Sequence, residues 1–160
     1  MEIKDLKLMK YNQPFSLILI AIVILVLNSC FCTKKYCLGA DDMDQIHFYN
    51  VATDNLDTVV VKKFVKNRDF KTLISSTITT PSNFSSTPTY EIIALNEKLT
   101  TDFDYQVELP GNGQVFAISD FVVKKEPCNS GFMCNDYFNA LESYKVNGKF
   151  ASGAILALGK

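Results

Sequence analysis

Cysteine is the residue type in this chain whose number and spacing point most directly to chemistry. The five cysteines are Cys30, Cys32, Cys37, Cys128 and Cys134. Setting aside Cys30, which ends an apolar run, leaves four, as expected for two disulfides in an exported protein. Local pairing would close two small loops, and either cross pairing would join the amino-terminal segment to the carboxy-terminal third. The alternatives are free thiols or a four-thiolate zinc site, for which the C-x4-C and C-x5-C spacings are loose.

Acidic and imidazole side chains add little to this chemistry. Asp102 with Asp104, and Glu108 with Asp120, are carboxylate pairs of the kind that glycoside hydrolysis requires, but acids on the polar face of a strand are ordinarily solvated. The single histidine, His47, lies in a predicted strand, where packing is its expected role. The chain has no G-x-S-x-G, H-E-x-x-H or C-x-x-C motif. The sequence therefore predicts a protein that is not an enzyme, with no catalytic residue, metal or cofactor.

An apolar stretch near the amino terminus predicts that the protein is exported. Residues 15–27, FSLILIAIVILVL, contain one polar side chain and follow a leader that contains lysines. A helix of that length rises about 20 Å, less than the roughly 30 Å hydrocarbon core of a bilayer. The stretch is therefore typical of the apolar region of a signal peptide. Met9 is an alternative start to Met1, because it gives a more compact leader.

The residues that end this stretch resemble a known processing signal. Leu27, Asn28, Ser29 and Cys30 resemble the lipobox of bacterial lipoproteins, in which an aliphatic and a small residue precede a lipid-bearing cysteine. Asn28 departs from the small or β-branched residue that is commonest at its position. The resemblance implies cleavage after Ser29 and acylation of Cys30, which would anchor the chain to membrane lipid through two or more acyl chains. A retained membrane helix and an ordinary secretory signal are the alternatives.

The resemblance also implies a compartment. A lipobox, a segment with lysine and cysteine, and a compact β domain together resemble the small lipoproteins of the Bacteroidetes type. Phe31, rather than an aspartate, follows Cys30, so sorting rules like those of enterobacteria favour the outer membrane. We therefore expect a lipid-anchored protein of the cell envelope, preferably in the outer membrane.

Length and charge set further limits. The chain has 160 residues, and 16 Lys and Arg against 17 Asp and Glu give a net charge of −1. This balance lacks the basic footprint of a nucleic-acid-binding surface, so we expect no nucleic-acid partner. We predict three parts: a signal peptide at 1–29, the lipidated cysteine and a short tether at 30–44, and a β-sandwich domain at 45–160.

Strand patterns dominate the predicted domain. The clearest alternation covers residues 103–109, and a Pro-Gly-Asn-Gly turn leads from it to a partner strand at 114–123, which predicts a hairpin. Further strands are expected at 45–51, 58–66, 89–95, 144–148 and 154–158, with a bulge or an edge at Lys62-Lys63. About eight short strands with at most one short helix predict an all-β fold, a small antiparallel β-sandwich or barrel, preceded by the signal helix.

Two segments carry less certain patterns. Residues 70–79, FKTLISSTIT, fit either a strand or a helix. The core residues expected in this segment are Phe70, Leu73, Ile74 and Ile78. Asn135 or Asp136 is placed to cap the one short helix, which would run to Glu142.

We expect the domain to act by binding a protein, a glycan or a cell-wall component. Phe84 lies in the polar loop 81–88, where an exposed aromatic side chain indicates recognition, unless it packs on the core. Segment 124–135 is a second expected recognition loop. The alternative function is an inhibitor or immunity-type lipoprotein that blocks a periplasmic or secreted enzyme. A carboxylate-based hydrolase is a third possibility.

Overall fold

Ten β-strands account for nearly all the secondary structure in a computed structural model of the chain. The model describes residues 39–80, 85–87, 89–128 and 136–159, together with Ile18 and Cys37. The strands are β1 (Met43–Tyr49), β2 (Val59–Val65), β3 (Leu73–Thr79), β4 (Ser85–Ser86), β5 (Tyr90–Leu99), β6 (Phe103–Leu109), β7 (Gln114–Pro127), β8 (Tyr137–Val146), β9 (Lys149–Ser152) and β10 (Leu156–Leu158). A 3₁₀ helix at Thr53–Leu56 connects β1 to β2. The all-β prediction is confirmed.

The strands form two packed sheets that do not close into a barrel. One sheet has the order β10-β1-β5-β4, and the other has the order β3-β2-β6-β7-β8-β9. Of the two architectures predicted from the sequence, the structure is therefore the sandwich. It departs from a purely antiparallel arrangement at β1 and β10, which pair in parallel with Ile46 opposite Leu156.

The core lies between the sheets because alternate residues of each strand point inward. Tyr105 and Val107 of β6 are fully buried, as predicted, and lie opposite Ile118 and Phe116 of β7. This register confirms the predicted hairpin. Phe48 of β1 meets Phe116 edge-on with ring centroids 6.2 Å apart, which places an aromatic contact between the two sheets.

The apolar side chains of β3 point away from the core, and this part of the prediction is wrong. Leu73, Ile74 and Ile78 are 53%, 48% and 61% exposed, whereas Thr79 is buried. Phe70, before the strand, is half-buried and packs edge-on against Phe64 with centroids 5.5 Å apart.

The inward face of β3 is polar because it meets an ion pair. Lys63 of β2 lies 3.3 Å from Glu97 of β5, and the Thr77 hydroxyl donates to the same carboxylate at 3.1 Å. Side chains of a strand point alternately to its two faces, so hydroxyl residues of β3 lie on the inward face and its isoleucines lie on the outward face. The β2–β3 register shifts between Lys63 and Phe64, but the extra residue, Ile74, lies in β3, and β2 pairs with β6 without a shift. The bulge predicted at Lys62-Lys63 therefore lies on the neighbouring strand.

The short helix predicted from Asn135 or Asp136 to Glu142 is also wrong, because β8 occupies Tyr137–Val146. This strand lies between β7 and β9 in the larger sheet, with Tyr144 opposite Ala151. Leu141 and Tyr144 are buried in the core cluster. Pairing on both sides and burial of these side chains outweigh a local capping signal.

The described residues divide into two units. Residues 36–126 and 137–160 form the compact unit that contains the strands described above, apart from the last residue of β7. Residues 1–35 and 127–136 form the other, in which Ile18 is helical and the Cys128 N–H donates to the Asp136 carbonyl at 2.8 Å. Within the described residues, every helix is too short or too polar to cross a bilayer.

Candidate functional site

Several residues that the sequence singles out lie outside the described parts of the chain. They are Leu27, Asn28, Ser29, Cys30, Cys32, Phe84 and Cys134. The lipobox, the anchor and the aromatic recognition residue of loop 81–88 therefore stay predictions. The remaining candidates are placed by the structure.

Cys37 and Cys128 are disulfide-bonded to each other. This is one of the cross pairings that the sequence left open, and it excludes local pairing of Cys37 with Cys32 and of Cys128 with Cys134. The bond joins the segment before β1 to the end of β7 along the chain. The prediction that disulfides link these cysteines is therefore confirmed for this pair.

Glu108 and Asp120, one of the carboxylate pairs considered for glycoside hydrolysis, each form an ion pair with a lysine of a neighbouring strand. Glu108 forms an ion pair with Lys62 on the neighbouring strand β2. Asp120 lies 3.0 Å from Lys145 of β8. Both acids are half-exposed or exposed and neutralised by a lysine, which is the ordinary arrangement of a solvated sheet face.

Asp104 differs from these two acids, because only 2% of its surface is exposed. Its Oδ2 accepts the Asn67 N–H at 2.8 Å, while its buried Oδ1 has no described hydrogen-bond partner. Burial raises the pKa of the Asp104 carboxyl, and the negative charges of Asp120 and Asp69 raise it further. The Asn67 hydrogen bond and the Lys66 charge lower the same pKa. Through its bond to Asn67, Asp104 holds the β2–β3 turn.

His47 packs as the sequence predicted. Its ring stacks on Tyr90 with centroids 4.7 Å apart and an interplanar angle of 14°. Burial lowers the pKa of the His47 imidazole. A neutral, stacked ring is the expected state of a structural histidine.

The site with the best geometry for a ligand is a cleft beside the β8–β9 hairpin and β10. Its volume is about 430 Å³, within the roughly 300–1,000 Å³ of small-molecule sites. Apolar lining comes from Phe116, Tyr144, Val146, Phe150 and Ala151, and polar lining from Asn147, Lys149 and Ser152. We refer to this site as the hairpin cleft.

The Asn147-Gly148 turn shapes the rim of the hairpin cleft. Both residues have positive φ, 50° and 78°, which suits the tight turn between β8 and β9. The Asn147 side-chain oxygen accepts the Ala117 N–H at 2.7 Å, and the backbone N–H of Asn147 donates to the Ala117 carbonyl at 2.7 Å. These bonds to β7 fix the turn, so the rim is built from a rigid element.

Tyr144 and Gly159 hold the opposite side of the hairpin cleft. The Tyr144 hydroxyl accepts the Ala157 N–H at 2.6 Å and donates to the Ile155 carbonyl at 3.1 Å. Burial raises the pKa of this hydroxyl. Gly159 lies so close to the backbone oxygen of Tyr49 that a Cβ would overlap it, and Asn50 Nδ2 donates to the Gly159 carbonyl at 3.2 Å.

The charge of the hairpin cleft comes from one described residue. Among its described lining residues, Lys149 is the one charged side chain, and it makes no ion pair with a described residue. Phe150 beside it is 78% exposed, and Lys145 lies 5.0 Å from its ring centroid. A cation next to exposed aromatic surface can bind a ligand that has both an apolar face and a negative group.

Sequence reasoning did not select the hairpin cleft, although one signal for it was present. Val146-Asn147-Gly148-Lys149 is the Asn-Gly hairpin pattern, and it places Phe150 on a short strand at a sheet edge. The rest of the site depends on β10, which comes from another part of the chain.

No group of three or more His, Cys, Asp or Glu side chains is arranged to hold a metal ion in the parts of the chain that the structure describes. No protein-family model, no curated protein and no solved structure matches the chain.

Proposed function

We propose that this protein is a lipid-anchored module of the cell envelope that binds an anionic glycan or cell-wall fragment in the hairpin cleft. The observation that carries the proposal is the pairing of Lys149, the single charge among the described lining residues, with an aromatic and aliphatic surface. Sugar rings present C–H faces that pack on aromatic rings, and carboxylates of cell-wall peptides form charge-assisted hydrogen bonds with ammonium groups.

The rigid surroundings of the cleft also support binding. The turn at Asn147 is bonded to β7, and Tyr144 is bonded to β10, so both sides of the cleft are held before a ligand arrives. A site that is already ordered loses less conformational entropy when it binds. The anchor part of the proposal depends on the lipobox resemblance of residues 27–30.

Tryptophan fluorescence offers a direct test of binding, because the chain has no tryptophan. Phe150→Trp introduces one reporter at the cleft, and Tyr137→Trp introduces one at a similarly exposed position that does not line it. The full-length protein in detergent is titrated with soluble peptidoglycan fragments that carry peptide carboxylates. We expect a saturable blue shift in the first variant only. An unchanged spectrum with these fragments, or equal shifts in both variants, contradicts the proposal.

Charge at the rim is tested in the same assay. In the Phe150→Trp background, Lys149→Gln should weaken binding about tenfold, because one charge-assisted hydrogen bond is lost. Lys149→Arg keeps the charge and should retain most of the affinity. Equal affinity in all three proteins would mean that Lys149 does not contact the ligand.

The anchor is tested separately by palmitate labelling of the wild type and Cys30→Ala, with membrane fractionation. We expect both label and membrane attachment to be lost in the variant. A variant that stays in the membrane without label would show that residues 15–27 are a retained helix.

A further inference from the structure

The edge strands of the two sheets differ in how well they are protected from pairing with another chain. An unprotected edge is a template for a further strand, and natural proteins shorten it or place lysine or proline on it. Among the described strands, the edges β4 and β10 have two and three residues, and β9 has four with a lysine at its start. The edge β3 has seven residues, LISSTIT, with no charge, proline or glycine.

The outward face of β3 is apolar. Ile74 and Ile78 are about half exposed or more on the face that points away from the core. Both isoleucines are exposed, although the register of β3 against β2 is irregular at Ile74. Exposed apolar side chains on an edge strand mark a site where additional surface is buried by association.

The central five residues of β3, ISSTI at 74–78, are symmetric about Ser76 in residue type, whereas Leu73 would lie opposite Thr79. In an antiparallel pairing of two copies with a two-fold axis at Ser76, Ile74 of one copy lies opposite Ile78 of the other. The same register places Ser75 opposite Thr77, and Ser76 opposite itself. Isoleucine pairs and hydroxyl pairs are both favourable cross-strand neighbours.

We propose that the protein forms a two-fold symmetric dimer in which the β3 strands of two copies pair edge to edge, centred on Ser76. The two six-stranded sheets then become one continuous sheet. The interface uses the same surface of both copies, as a two-fold axis requires, and it closes after two copies. The partner N–H groups replace the exposed hydrogen bond of 3.3 Å that Asn96 Nδ2 donates to the Ile78 carbonyl.

The register gives a charge test with a matched control. In Ile74→Glu with Ile78→Glu, a carboxylate faces a carboxylate across the axis twice. In Ile74→Lys with Ile78→Glu, an ammonium faces a carboxylate twice. Both variants change the same two exposed positions, so neither buries a charge in the folded monomer, and far-UV circular dichroism should match the wild type in both.

Sedimentation equilibrium of the full chain in density-matched detergent measures the outcome. We expect a wild-type dimer, at least about tenfold weaker dimerisation in the variant with two glutamates, and near wild-type dimerisation in the variant with opposite charges. A monomeric wild type, larger open assemblies, or the same effect of both variants would each overturn the proposal.

A cysteine at the axis tests the register independently. Ser76→Cys should give a covalent dimer under mild oxidation, because each copy presents this position to itself. Lys71→Cys, at an exposed position outside the strand, is the control. Equal cross-linking of the two variants would rule out pairing centred on Ser76.

Discussion

The hydroxyl of Tyr144 accepts the backbone N–H of Ala157 at 2.6 Å, which bonds β8 of the larger sheet to the edge strand β10 of the smaller one. β10 has three residues and pairs with β1 on one side. On the other side of β10, the Ala157 N–H would have no hydrogen-bond partner without Tyr144. Tyr144 supplies that partner from within the core, where its side chain is fully buried.

Tyr144→Phe should therefore lower the free energy of unfolding by about 1–3 kcal/mol, because a buried N–H loses its acceptor. Urea denaturation measures the change, and Tyr137→Phe, at an exposed tyrosine of the same strand, is the control with little expected effect. Equal stability of the two variants would mean that water replaces the hydroxyl.

Tyr144 also predicts a loss of stability at alkaline pH. Its pKa is raised in the folded state above the ordinary tyrosine value of 10.0, because the hydroxyl is buried. The stabilising effect of the neutral hydroxyl is therefore complete below pH 10 and is lost as pH rises through the folded-state pKa. Denaturation midpoints from pH 9 to 11 should fall more steeply in the wild type than in Tyr144→Phe.

Asp104→Asn should stabilise the protein by about 1 kcal/mol at neutral pH, because the ionised carboxylate is buried with one oxygen that has no described partner. Burial raises the pKa of the Asp104 carboxyl in the folded state, so stability from this group is present below its ordinary value of 3.8 and is lost as pH rises through the folded-state pKa. The variant should lack this pH dependence.

Glu108→Gln is the control for Asp104→Asn, because Glu108 lies on the same strand in an ion pair with Lys62. It should change stability by less than about 1 kcal/mol. A destabilised Asp104→Asn would contradict the expectation and show that attraction to Lys66 outweighs burial.

Reduction should lower stability by about 2–4 kcal/mol, because the Cys37–Cys128 bond restricts the unfolded chain. The measurement is a denaturation midpoint with and without reductant. Cys37→Ser with Cys128→Ser should reproduce the loss without reductant. A midpoint that neither treatment moves would show that the bond contributes nothing to stability.

Gly159→Ala should destabilise the protein more than Gly148→Ala. The two glycines have nearly the same φ, 77° and 78°, so an alanine at either costs about 1–2 kcal/mol in backbone strain. At Gly159 a Cβ also overlaps the Tyr49 backbone oxygen, whereas at Gly148 it meets nothing. The difference between the two melting temperatures isolates the close approach. Equal values would place Gly159 farther from β1.

Val107→Asp should unfold the domain, because Val107 is fully buried in the β6–β7 hairpin. Burying an unpaired carboxylate costs several kcal/mol, at least about 4, which is comparable to the stability of a small domain. Val115→Asp is the control on the neighbouring strand, where the side chain is 43% exposed. A folded Val107→Asp protein by circular dichroism would contradict the inward assignment of β6.

The sequence alone determined the features that depend on local alternation. Ile46 and Phe48 in β1, Val59 and Val61 in β2, and the β6–β7 hairpin follow from side chains that alternate every second residue, with turn residues between them. The predictions for residues 27–30 and for Phe84 also come from the sequence, and they concern parts of the chain outside the described residues.

Tertiary structure decided every feature that depends on which distant segments meet. Cys37 pairs with Cys128 because the fold, and not the spacing of cysteines along the chain, decides which cysteines meet. β3 turned its isoleucines outward because its other face met Glu97, and β8 became a strand because β7 and β9 pair with it on both sides. The hairpin cleft formed where β10 returned beside β1. Long-range pairing energy acts on these segments more strongly than local propensity, and a local pattern carries no information about it.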